Sequence, residues 1–216
     1  MGLFIDSANI EEIREIASWD VVQGVTTNPK IFSTEDTDLK ARVDEILDLV
    51  PGPLSLEVTT NDLDEMIAEA EKFASWSEHV VVKLPMGPVG LQALGIIKEK
   101  GIRTNMTAIM TPGQAYLAAL AGATYASIFF GRINDIGANA VEVIQQASTL
   151  IKQNSLATKI IVGSIRVATQ ITEAALAGAD IVTVPYKFFS QLAKHPQTEK
   201  TIQEFLEAWG DSKTPA

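Results

Sequence analysis

Lys83 stands in the run Val80-Val81-Val82-Lys83-Leu84-Pro85, an unusual setting for a cation. Consecutive valines closed by a proline describe a short strand that ends abruptly, and a lysine within it sends its ammonium toward whatever the strand faces. In a closed interior, desolvation favours the neutral amine. A neutral amine attacks carbonyl carbon. The competing role is a structural salt bridge to Asp6 or Glu57, and those two carboxylates matter in their own right. Schiff-base chemistry needs proton transfer at the carbinolamine and at the hydroxyl whose C–C bond is cleaved, so two carboxylates around one lysine form a sensible set. Either could instead be a plain counter-ion, and Asp6 could cap the helix that follows it.

Other polar residues sit at comparable places: Thr26 and Asn28 in Thr26-Thr27-Asn28, Asn105 and Thr107, Ser127 with Arg132 just beyond, and Ser164 with Arg166. Guanidinium groups suit phosphate because their donors match its oxygens in pairs, so Arg132, Ser164 and Arg166 form a candidate phosphate group. The alternative for each arginine is a surface pairing with an aspartate such as Asp135. His79 and His195 fit no metal or catalytic pattern and read as structural.

These residues have to be brought together by strands. Short β-rich runs at Leu3–Asp6, Gly24–Thr26, Leu54–Val58, Val80–Leu84, Arg103–Thr107, Tyr125–Phe129, Lys159–Val162 and Ile181–Val184 alternate with amphipathic helical runs such as Ile10, Ile13, Ile16 and Ala17. Asp62 and Thr111 are candidate helix caps. Gly101, Gly122 and Gly178 fall where helices should end in a left-handed residue. Eight strand-then-helix units in 216 residues predict an α/β TIM (β/α)8 barrel. A doubly wound sheet is the rival, but no G-x-G-x-x-G follows the first strand, which runs into Ser7-Ala8-Asn9. In the barrel, strand C-terminal ends meet at the active-site mouth, and the loops after the seventh and eighth strands often hold phosphate, favouring Ser164 and Arg166. Residues 1–216 are expected to form one domain, and two helical runs, Lys187–Ala193 and Glu199–Trp209, follow the last strand. The helix and tail over 199–216 are expected to pack on a neighbouring subunit, with Trp209 a candidate for docking them.

Composition narrows the class. A net charge of −10 with no basic run argues against nucleic acid as a partner. No apolar stretch approaches a membrane span, and the N-terminus lacks the basic and apolar regions of a secretory leader, so a cytoplasmic location is expected. The absence of cysteine excludes disulfides, thiolate catalysis and thiolate metal sites.

Gly24-Val25-Thr26-Thr27-Asn28-Pro29, Val82-Lys83-Leu84-Pro85-Met86, Gly101-Ile102-Arg103-Thr104-Asn105-Met106-Thr107, Gly122-Ala123-Thr124-Tyr125 and Ala177-Gly178-Ala179-Asp180-Ile181-Val182-Thr183-Val184-Pro185 together resemble the small transaldolase and fructose-6-phosphate aldolase family across essentially the whole chain. The resemblance implies that Lys83 is the Schiff-base lysine and Asp6 the carboxylate near the cleaved bond. It implies that Asn28 and Asn105 hold the dihydroxyacetone portion, that Thr107 and Glu57 position a catalytic water, that Ser127 contacts substrate, and that Arg132, Ser164 and Arg166 bind phosphate. It also implies sugar-phosphate substrates, no metal or organic cofactor, and a homo-oligomer, pentameric or decameric, with exchanged C-terminal helices. Glu57 and Phe129 resemble the transaldolases, whereas the aldolases typically carry Gln and Tyr there.

Overall fold

In the computed structural model, which describes residues 1–32 and 38–212, every one of these β-rich runs becomes a strand. They are β1 (Gly2–Asp6), β2 (Val22–Thr26), β3 (Leu54–Glu57), β4 (Val80–Pro85), β5 (Thr104–Ile109), β6 (Tyr125–Phe129), β7 (Lys159–Gly163) and β8 (Ile181–Val184). Each pairs in parallel with the next, and β1 closes the ring on β8 in the register Gly2↔Ile181 to Ile5↔Val184. The fold is therefore a (β/α)8 barrel, and the doubly wound rival is excluded.

Helices lie outside the strands: α1 (Ile10–Ala17), α2 (Pro29–Phe32), α3 (Leu39–Leu49), α4 (Leu63–Ala74), α5 (Pro88–Lys98), α6 (Pro112–Ala121), α7 (Phe130–Asp135), α8 (Ala140–Gln153), α9 (Thr169–Leu176), α10 (Tyr186–Ala193) and α11 (Pro196–Ser212). Their starts follow capping chemistry. Asp62 accepts from the Asp64 and Glu65 amides, and Thr111 forms a reciprocal capping box with Gln114. Asn9, not Asp6, caps α1, its Oδ1 accepting from Glu11 and Glu12 at 3.0 and 3.1 Å. Asp6 is thereby left to the barrel. Gly101, Gly122 and Gly178 have φ of 75°, 90° and 104°, the left-handed conformation foreseen for them.

The terminal helix begins earlier than the run of helical spacing suggests, at Pro196 instead of Glu199. The physical reason is His195: its Nδ1 accepts from the Gln197 amide at 3.1 Å and its carbonyl from the Glu199 amide, so the His-Pro pair opens the helix. Residues 213–216 of the expected tail lie outside the described residues.

Strand pleating sorts the side chains. Outward residues such as Ile5, Val25, Leu56, Val82 and Val182 pack with helix residues such as Ile13, Ile16, Met66 and Leu94 in one continuous core. Inside, Phe4, Val81, Tyr125, Ile161 and Ile181 form a separate apolar plug, with Phe4 and Tyr125 edge to face at 6.4 Å. Burying each such large side chain contributes about 1.5–3 kcal/mol. Two residues further along the same strands, on the same face, come Asp6, Lys83, Ser127, Gly163 and Thr183. The plug is thus the floor of the site.

Candidate active site

Above that floor opens a cleft of about 420 Å³ whose wall includes Asp6, Thr26, Asn28, Glu57, Lys83, Ser127, Phe129, Arg132, Ser164 and Thr183. A second hollow of about 400 Å³ lies at the opposite barrel end, around Met1, Gln23 and Lys159, and shares Phe4, Tyr125 and Ile181 of the plug as its inner wall. The first hollow gathers polar residues from the C-terminal ends of β1, β2, β3, β4, β6 and β8.

Lys83 is only 6% exposed. Its Nζ donates to Glu57 Oε2 at 2.8 Å and to the Thr27 carbonyl at 3.1 Å. Ladder register dictates this, because Glu57 pairs with Lys83 across β3 and β4. The salt bridge weighed as a competing role for Lys83 is therefore present, and it places a proton acceptor on the candidate nucleophile.

Asp6 accepts from Thr26 Oγ1 at 2.9 Å. Burial pushes its carboxyl above the ordinary aspartate value; the Lys83 ammonium and the Thr26 hydroxyl pull it back less strongly, and the Glu57 charge adds to the rise. Thr26 Oγ1 lies 2.6 Å from Thr183 Oγ1, so a chain of hydroxyls reaches from β8 through β2 to the carboxylate on β1 between them.

Asn105, Thr107 and Arg166 fall outside the cleft wall. Asn105 is wholly buried; its Nδ2 donates to Ser55 Oγ at 3.1 Å, and its Oδ1 accepts from Ser127 Oγ at 2.7 Å. It lies behind Ser127, which does reach the cleft. Thr107 is buried as well, and its Oγ1 has no hydrogen-bond partner among the described residues. Such a hydroxyl costs about 1–3 kcal/mol unless water satisfies it.

The two arginines separate. Arg132, on α7, reaches the cleft beside Ser164. Arg166 instead forms a two-pronged ion pair with Asp135, the surface pairing weighed as its alternative, and both side chains are more than 40% exposed. The arginine holds Asp135 below the usual carboxylate range, chiefly through the hydrogen bonds. A close crossing explains how α7 meets the loop after β7: the Gly131 amide donates to the Ser164 carbonyl at 3.0 Å, and a Cβ on Gly131 would stand 2.5 Å from that oxygen. Ser164 itself has φ 58°, a strained value for a residue with a Cβ. Asn28 follows β2, where its Oδ1 accepts from the Ile31 amide at 3.1 Å.

Ser55, Thr183 and Lys30 are additions that residue types alone did not single out. Threonine and serine within a β-rich run read as ordinary strand residues; counting in twos from Asp6, Glu57 and Lys83 along the paired strands is the signal that turns their hydroxyls inward. Among the described residues, no three His, Asp or Glu side chains gather closely enough to hold a metal ion. None of their helices is long and apolar enough to cross a membrane.

A (β/α)8 barrel with a buried lysine bonded to one carboxylate and facing the charge of a second at its C-terminal mouth belongs with enzymes of the aldolase type. More narrowly, the family model described as Transaldolase/Fructose-6-phosphate aldolase matches residues 3–214, and the chain belongs to that family. It is 46% identical over 210 residues to a "Probable transaldolase" of Caldicellulosiruptor saccharolyticus, with 97% of each chain covered. To one of Symbiobacterium thermophilum it is 44% identical over 213 residues, with 99% of each chain covered. A third relative so named, from Petrotoga mobilis, is 43% identical over 209 residues, covering 97% of this chain and 95% of its own.

Proposed function

We propose that this protein is a transaldolase, moving a dihydroxyacetone unit from a ketose phosphate such as fructose 6-phosphate or sedoheptulose 7-phosphate to an aldose phosphate through a Schiff base on Lys83, as a step of the pentose phosphate pathway. The observation that carries the reading is the buried Lys83 Nζ, bonded at 2.8 Å to Glu57 and close enough to Asp6 to act on its charge. Glu57 takes the ammonium proton, and the freed amine adds to C2 of the ketose. Water then leaves the carbinolamine to give the iminium ion. The C3–C4 bond breaks as its electron pair moves toward the iminium nitrogen to form the enamine, while the C4 hydroxyl proton goes to Asp6 and an aldose phosphate departs. The enamine adds to the acceptor aldehyde, the proton returns from Asp6, and water hydrolyses the new Schiff base.

The buried Thr107 hydroxyl, without a partner among the described residues, supports a role with Glu57 in holding that water. Asn28 and Ser127 at the cleft wall would contact the dihydroxyacetone unit, with Asn105 orienting Ser127 from behind. Arg132 and Ser164 would take the phosphate, joined by Arg166 if it exchanges Asp135 for the ligand. Phe129 in the wall supports transfer over release, since no tyrosine hydroxyl stands there to protonate the enamine.

The same reading extends to assembly. Ile202, Phe205 and Leu206 on α11 are 52%, 69% and 61% exposed, an apolar stripe at helical spacing that supports packing of this helix on a neighbouring subunit in a pentamer or decamer.

The test is incubation with fructose 6-phosphate, borohydride trapping, and product assay with and without erythrose 4-phosphate. Transfer predicts a reduced adduct on Lys83 and sedoheptulose 7-phosphate only with acceptor. Absence of adduct sinks the Schiff-base step, binding without adduct marks a non-catalytic sugar-phosphate barrel, and free dihydroxyacetone as the main product without acceptor marks the aldolase.

A further inference from the structure

Thr183 is a cleft residue with no part in the steps above, and its surroundings are unusually restrictive. It is 5% exposed, its Oγ1 sits 2.6 Å from Thr26 Oγ1, and its Cγ2 lies against Gly163, where an added Cβ would approach to 3.1 Å. The methyl faces the glycine and the hydroxyl faces Thr26, so the rotamer is set by packing. Hydrogen-bond polarity is set by counting protons. Thr26 has one hydroxyl proton, and it is donated to Asp6 Oδ1 at 2.9 Å. With Asp6 ionised, the state in which it acts as a base, Thr26 can then only accept from Thr183, which makes Thr183 the donor.

From this chain we infer that Thr183 is a positioning residue: by donating to Thr26 it commits the Thr26 proton to Asp6 Oδ1, holding the carboxylate so that Oδ2 faces the substrate hydroxyl. The inference rests on the reading of Asp6 as the base for C–C cleavage. Removing the Thr183 donor lets the Thr26 hydroxyl turn and weakens its bond to the carboxylate. Chains of hydrogen bonds in a dry interior strengthen each other, so a residue that never touches the reacting atoms acts on them through Thr26. Among the described residues, the charged groups around Asp6 are Lys83 on β4 and Glu57 on β3, with Lys30 on α2, Arg132 on α7 and Glu12 on α1 farther out along the neighbouring walls. None of them changes in the variants below.

The experiment compares wild type, Thr183→Val, Thr183→Ser, Thr26→Val and the Thr183→Val/Thr26→Val double variant by kcat and KM across pH, with borohydride trapping on Lys83 for each. Thr183→Val should lower kcat about 3- to 10-fold, the worth of one ordinary hydrogen bond. KM should stay nearly unchanged, and the acid limb should move up by roughly half a pH unit. Trapping should persist, and Thr183→Ser should restore both kcat and the acid limb. In the double variant the loss should match that of Thr26→Val alone, because Thr183 acts only through Thr26. Thr183→Ala carries the same expectations should the valine variant misfold by circular dichroism. A Thr183→Val profile superimposable on wild type overturns the inference, as do losses that add fully in the double variant or abolition of trapping. If wild type itself gives no adduct, the underlying Schiff-base reading has failed instead.

Discussion

Glu57 and Lys83 face each other across one rung of the β3–β4 ladder, and the carboxylate accepts from the ammonium at 2.8 Å. Because strand pairing fixes the contact, the fold itself delivers the proposed proton acceptor to the candidate nucleophile. Glu57→Gln keeps the shape and an oxygen to bond Lys83 but removes the group that can take up its proton. It should lower kcat on the order of 100-fold, the usual contribution of a positioned acid or base, while slow borohydride trapping on Lys83 continues. It should also cost about 1–3 kcal/mol of stability, since the buried ammonium exchanges a charged partner for a neutral amide oxygen. Steady-state rates and denaturant unfolding check the two halves.

Asp6 should trade activity against stability. Its folded pKa is raised, mainly by burial. A group of that kind contributes stability below its unfolded pKa and loses it as pH rises through the folded value, so the ionised Asp6 destabilises the protein at neutral pH. Asp6→Asn keeps an acceptor for Thr26 without the charge. It should raise the Tm at neutral pH, with the gain shrinking in acid, and remove roughly two or more orders of magnitude of cleavage rate. For the wild type, activity should fall on acidification with an apparent pKa above the normal aspartate range.

Phe129 ends β6 in the cleft wall. Phe129→Tyr places a hydroxyl near the enamine and should increase free dihydroxyacetone released per sedoheptulose 7-phosphate formed, read by product assay with limiting acceptor. An unchanged ratio would remove this position from any account of transfer against release.

Arg132 and the Arg166–Asp135 pair should respond oppositely. Arg132→Ala should raise KM for phosphorylated donors about 10-fold or more, with little effect on trapping of unphosphorylated dihydroxyacetone. Asp135→Asn releases Arg166 from its two-pronged partner and should tighten competitive inhibition by inorganic phosphate. Weaker inhibition would mean that the ion pair orients Arg166 instead of occupying it.

The barrel was legible in the sequence because parallel strands, covered on both faces, are written as β-branched runs and punctuated by capping residues and glycines. Lys83, Asp6 and Glu57 stood out because charge in such runs is rare. Thr183 and Ser55 did not, since a hydroxyl residue there has the composition of any strand and only register gives it a direction. Asp135 reads as a surface partner for either arginine; which of the two it takes was not legible, because Arg132 lies three residues from it in sequence while Arg166, its partner, lies 31 residues away and is brought to it by the fold. The end of β5 was equally hidden: Ala108 adopts φ 59°, the ladder to β6 slips between Met106 and Ile109, and the strand runs on past Thr107.

The pairing of β1 with β8 has a temporal consequence. Glu57 and Lys83 lie on neighbouring strands in the first half of the chain, whereas the Thr183 hydroxyl that reaches Asp6 through Thr26 belongs to the last strand. On the proposed mechanism, the candidate nucleophile and its carboxylate partner are synthesised well before the hydroxyl that steadies the candidate base, so closing the ring is what completes the site.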